Sequence, residues 1–96
     1  MEEAKGDSAA MRIRDLKGLG PKTEQMLSII GITRAEQLLA GDPFEIYAQL
    51  RQHIPGTSLN ALYALIGAIE NVHWQEIKRQ RRIEIILRLE DMGIAP

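Results

Sequence analysis

The stretch best suited to chemistry is Gly18-Leu19-Gly20-Pro21-Lys22-Thr23. Gly18 and Gly20 carry no Cβ, so a turn built on them can take positive φ and let another backbone come close. Pro21 fits the first position of a helix. A helix starting there has unpaired N–H groups and a partial positive charge at its N-terminus. The amides near Gly20, Lys22 and Thr23 can then hold a phosphate oxygen. Lys22 adds a point charge and Thr23 a hydroxyl donor, while Leu19 is expected to point inward and lock the turn. Arg12, Arg14 and Lys17 precede it, so Arg12–Lys22 holds four basic residues against Asp15, a local charge of +3. Contacts of this kind read the backbone of duplex DNA rather than its bases, so the expected binding is weak and independent of sequence. A Gly-x-Gly turn before proline is equally a way of joining two helices with no ligand at all.

A second basic cluster, Lys78, Arg79, Arg81 and Arg82, is expected at the start of the last helix. Cations there oppose the helix dipole. The cluster therefore needs either an anionic partner or an internal counter-charge from Glu76, Glu84 or the acidic middle of the chain. Residues 23–77 carry six acids against two arginines, a net of −4. A face with that charge repels phosphate and favours a protein partner, whether transcription machinery or a second copy. His53 and His73 stand alone, with neither a second His at helical spacing nor any Cys, so no metal site and no cofactor is implied. Thr57 and Ser58 read as helix caps. No motif for phosphate hydrolysis, metalloprotease or nucleophilic chemistry is present, and the chain is expected not to be an enzyme and to have no small-molecule substrate.

Positioning these residues requires a fold, and the composition bounds it. The 96 residues are 45% hydrophobic and 26% charged, with mean hydropathy −0.17 and net charge −1. That is one ordinary globular domain, neither disordered nor uniformly basic. With no cysteine there is no disulfide framework. The longest apolar run, Ala61–Ile69, is too short to span a bilayer that needs about 20 residues. Met1–Met11 reads as a flexible acidic lead-in and residues 12–96 as the folded domain, with a reducing cytoplasm as the expected location.

Apolar residues recur at helical spacing, so the domain is expected to be all-α, with five to six short helices. A short helix over Arg12–Lys17 is followed by one from Pro21, ended by Gly31 with Ile32 packing back on Leu27. Thr33 and Glu36 form a capping box for the next helix, whose core face is Ala35, Leu38 and Leu39. Asp42, Pro43 and Glu45 open another, running to about Gln52 with Phe44, Tyr47 and Ala48 on one face. Leu59–Asn71 is apolar nearly all round and should be the central helix. A link, Val72–Ile77, leads to a last helix at about Arg79–Met92, stopped by Gly93 and Ile94. Ile54-Pro55-Gly56-Thr57-Ser58 can be laid over Leu16-Lys17-Gly18-Leu19-Gly20 as a degenerate second hairpin or as a chance similarity.

The run Ile13–Leu27 resembles the helix-hairpin-helix motif. Together with Gly31-Ile32-Thr33, Ala35-Glu36-Gln37-Leu38, Ser58-Leu59-Asn60-Ala61-Leu62-Tyr63-Ala64-Leu65, Gly67-Ala68 and His73-Trp74, it resembles the C-terminal domain of the TfoX/Sxy family of bacterial competence regulators. That resemblance extends from about Arg12 to Leu89. It implies a helical, cytoplasmic bacterial module linked to transcriptional control of DNA-uptake genes, and it supplies no catalytic residues. Full-length members carry a separate N-terminal domain, for which these residues have no room. The Lys78–Arg82 cluster is also richer in cations than the resemblance implies.

Overall fold

A computed structural model describes residues 11–95. Among them lie five α-helices and one short 3-10 turn, with no strand. The 3-10 turn is Ile13–Asp15; the helices are α1 (Pro21–Ile29), α2 (Ala35–Leu39), α3 (Pro43–His53), α4 (Leu59–Glu70) and α5 (Trp74–Asp91). The lead-in expected over Met1–Met11 lies outside the described residues except for Met11. The carbonyl of Met11 accepts from Ala35 N–H at 3.3 Å, which ties this residue to the start of α2.

Helix α4 is the centre of the core. Leu62, Tyr63, Leu65, Ile66, Gly67 and Ala68 are all buried, and α3 and α5 pack against it. Ile13, Leu27, Leu38, Leu50, Ile85 and Leu89 close around it from the other elements, all fully buried. Gly67 is needed for this packing. A Cβ there would stand 2.4 Å from the carbonyl oxygen of Val72, so the chain leaving α4 crosses back over a bare backbone. Asn71 makes that reversal in the left-handed conformation at φ 59°.

The helix ends follow local chemistry. After α1, Gly31 has φ 89°, its N–H bonds the carbonyl of Ser28 at 3.1 Å, and Ile32 N–H bonds that of Leu27 at 2.9 Å. Gly93 and Ile94 repeat the same double bond to Glu90 and Leu89 at 3.0 and 2.9 Å. Both are the glycine stops expected from sequence. Asp42 caps α3 by accepting from Phe44 N–H at 2.9 Å.

Four expectations change. The first element is a single 3-10 turn, because Leu16 is already extended (φ −76°, ψ 151°) and the chain must reverse at once. The cap of α2 is shifted by one residue. The Gln37 carbonyl, not the Glu36 carboxylate, accepts from Thr33 and Arg34 N–H at 2.8 and 3.0 Å, and Leu39 faces outward. Helix α3 also buries Ile46 and Leu50 beside Phe44 and Tyr47, whereas Ala48 is half-buried. Finally, α5 starts at Trp74 rather than Arg79: the His73 ring nitrogen Nδ1 accepts from Gln75 N–H at 3.1 Å and caps the helix one turn earlier.

Candidate functional site

The two hairpin-like turns open on one cleft. It encloses about 400 Å³, and its lining includes Gly18, Lys22 and Thr23 from the first turn and Gly56, Thr57 and Ser58 from the second. Met26, Ala61, Ala64 and Trp74 supply an apolar floor. Trp74 is half-buried and stacks on His73, with ring centroids 6.0 Å apart.

The turns are alike in backbone geometry. Gly18 and Gly56 have φ 80° and 84°, the left-handed conformation that an L side chain resists. Leu19 N–H bonds the Leu16 carbonyl at 3.1 Å, and Thr57 N–H bonds the Ile54 carbonyl at 3.3 Å. Gly20 (φ −137°, ψ −173°) and Ser58 (φ −97°, ψ 164°) then follow as extended N-cap residues. The degenerate second turn thus matches the first in φ and in its closing hydrogen bond. The first turn differs from a two-helix hairpin in having only a 3-10 turn on its leading side. Leu19 is buried, anchoring the first turn as expected. In the second turn the hydroxyl of Thr57 does this work by donating to the Ile54 and Leu50 carbonyls at 2.8 and 3.3 Å.

Both helices that follow the turns are left uncapped. Neither Gly20 nor Ser58 makes a side-chain cap bond. The N–H groups of Lys22 and Thr23 at α1, and of Leu59 and Asn60 at α4, find no acceptor among the described residues. Helices α3 and α5 each have one amide, Phe44 N–H and Gln75 N–H, capped by the side chains of Asp42 and His73, although α5 too begins at the cleft, with Trp74. Four of the unpaired first-turn donors, those of Lys22, Thr23, Leu59 and Asn60, thus belong to the two helices that follow the turns.

The basic residues divide. Lys22 lies at the cleft and Lys17 is exposed on the first turn, neither held by an ion pair among the described residues. Arg14 is committed elsewhere. Its Nε and NH2 groups donate to Glu24 Oε1 at 2.9 and 2.7 Å, and its backbone N–H reaches Oε2 at 3.3 Å. The hydrogen bonds hold Glu24 below the usual carboxylate range and raise Arg14. Arg12 sits 3.7 Å from Asp15. The local +3 read from sequence is therefore largely neutralised around Arg12 and Arg14.

The second basic cluster is not at a helix start. Because His73 sets the beginning of α5, Lys78, Arg79, Arg81 and Arg82 fall on its second and third turns, where the dipole penalty fades. Arg79 pairs with Glu76, and Arg81 pairs with Glu70 at 2.7 Å and Glu84 at 3.4 Å. These are the internal counter-charges anticipated from sequence. The Arg79 hydrogen bond lowers Glu76, and Glu70 raises Arg81. His53 meets only the Gln49 carbonyl, at 2.9 Å. Among the described residues no group of three His, Asp or Glu side chains could hold a metal ion, and no helix is long and apolar enough to cross a membrane.

The arrangement defines an all-helical module with two similar turns feeding two uncapped helices. Over residues 9–89 the chain matches the TfoX C-terminal domain, and it belongs to that family. The family is not a known enzyme family. No curated protein and no solved structure matches the chain.

Proposed function

We propose that this chain is a non-enzymatic regulatory module of the TfoX type that contacts the phosphate backbone of duplex DNA through its two-turn cleft. Its role in the cell is in transcriptional control of DNA-uptake genes, as the family resemblance implies. The observation that carries the reading is the convergence of Lys22 and of two helix starts without a side-chain cap on one cleft, whereas α3 and α5 each have one first-turn amide held by a side chain. Phosphate oxygens are suitable acceptors for such amides, and Lys22 supplies a charge at the same place.

Amide chemical-shift titration with a duplex tests this directly. Lys22, Thr23, Leu59 and Asn60 should move most, and Lys22→Glu should suppress the shifts. With about two cations engaged, affinity should fall roughly tenfold between 50 and 200 mM salt. Shifts confined to other surfaces, or affinity indifferent to salt, would refute the proposal. The apolar floor at Met26, Ala61, Ala64 and Trp74 favours a second reading, in which the cleft takes a protein segment. Retention of a protein from a nuclease-treated bacterial lysate, lost in Ala64→Arg but not in Lys22→Glu, would select that reading.

A further inference from the structure

We propose that α5 is a self-association surface on which a second copy of this chain docks antiparallel. Only one side of α5 is used by the fold: Ile77, Ile85 and Leu89 are buried and pack toward α4. On the other side Ile83 and Leu87 are left 76% and 57% exposed. They belong to a seam, Glu76, Gln80, Ile83, Leu87 and Glu90, whose steps alternate four and three residues. That alternation keeps a stripe on one side of a helix over several turns and is the spacing by which two helices pack along their length.

Charge selects the occupant. The first half of α5 carries Lys78, Arg79, Arg81 and Arg82 against Glu76 alone; the second half carries Glu84, Glu90 and Asp91 against Arg88 alone. A helix so polarised is complementary to itself only when the second copy runs the other way. With the twofold axis at the level of residue 85, Ile83 meets Leu87 of the second copy. Arg79 lies on the same edge as Glu90 of that copy, and Gln80 as Asp91. The symmetry makes every contact twice. Arg79, Glu90 and Asp91 are all exposed, and neither acid has an ion-pair partner among the described residues. The existing Arg79–Glu76 pair lies on the same stripe, so Arg79 needs no large rearrangement to reach across. A parallel copy would instead set the arginines against each other. The surface is separate from the cleft between the turns.

One helix pair with two apolar residues a side is a small interface, so the dimer should be weak, with dissociation in the micromolar to sub-millimolar range. Sedimentation velocity of the full chain from about 10 to 500 µM should show a reversible monomer–dimer equilibrium. Arg79→Glu, and separately Glu90→Lys, should each weaken it by about tenfold, since either places two like-charge contacts across the axis. The combined Arg79→Glu/Glu90→Lys chain should recover most of the loss, because the pair is only reversed. Circular dichroism checks that each variant stays helical. The sequence has no cysteine, so cross-linking is specific to introduced thiols: a mixture of Gln80→Cys and Asp91→Cys chains should give the mixed disulfide in preference to either homodimer. A chain that stays monomeric throughout, single variants that associate as the wild type does, a combined variant that fails to recover, or preferential Gln80→Cys homodimers would each overturn the proposal.

Discussion

Gly20 separates an anion-binding turn from a plain joint. It sits at φ −137° and ψ −173°, an ordinary extended conformation, and a Cβ there meets nothing within 4 Å. The fold therefore gives no reason for glycine at this position. Gly20→Asp would place a carboxylate where it can accept from the free amides of Lys22 and Thr23. Three terms favour the variant: a better N-cap, by a few tenths of a kcal/mol; a negative charge at the positive end of α1, by about 0.3–1 kcal/mol; and lower entropy of the unfolded chain, by about 0.4–1 kcal/mol. Together they come to about 1–2 kcal/mol, or a rise in Tm of at least about 4–8 °C for a domain of this size. The same carboxylate would occupy the donors proposed for phosphate, so duplex affinity at low salt, read by fluorescence anisotropy, should fall at least about tenfold. Gly20→Ser, uncharged, should show both trends in weaker form. Stability up with affinity unchanged would reduce the turn to architecture. A fall in stability would show that the geometric reasoning about Gly20 is itself wrong.

Gly67→Ala should destabilise the domain by about 2–3 kcal/mol, because its Cβ would lie 2.4 Å from the Val72 carbonyl oxygen and force α4 and α5 apart; urea titration measures this. The hydroxyl of Tyr63 is buried without a hydrogen-bond partner among the described residues, so Tyr63→Phe should raise stability by about 1 kcal/mol in the same assay. Glu24 and Glu76 are both held below the ordinary carboxylate range, chiefly by hydrogen bonds from Arg14 and Arg79. Groups lowered in the folded state stabilise it above the unfolded carboxylate value and lose that contribution as pH falls through the folded value. Thermal melts should therefore weaken below about pH 4, and Glu24→Gln should flatten part of that decline.

Local signals carried most of the architecture. Gly31-Ile32 and Gly93-Ile94 end their helices by backbone chemistry that needs no tertiary partner, and Asp42-Pro43 opens α3 in the same way. The apolar run of α4 marked the core because no other element is hydrophobic on so many sides. What escaped was decided at long range or by unusual caps. Histidine is not a common N-cap, so the first turn of α5 read as a linker and the basic cluster was placed one turn too early. Arg14 looked free because Glu24, ten residues away in sequence, reaches it only after the first turn has folded. Leu39 resembled a core residue by spacing, yet α2 is a single short helix whose buried face needs only Ala35 and Leu38. The second turn was legible only as a weak echo, because its sequence differs while its backbone does not.

The pairing of the turns on one cleft has a consequence for selectivity. A lone inorganic anion brings a single charged centre to the cleft. A polymer with charges spaced along its length can engage both turns, the first contact raising the effective concentration for the second. If the cleft holds phosphate as proposed, a duplex should compete far better for it than inorganic phosphate at equal phosphate concentration, with neither turn needing to bind tightly.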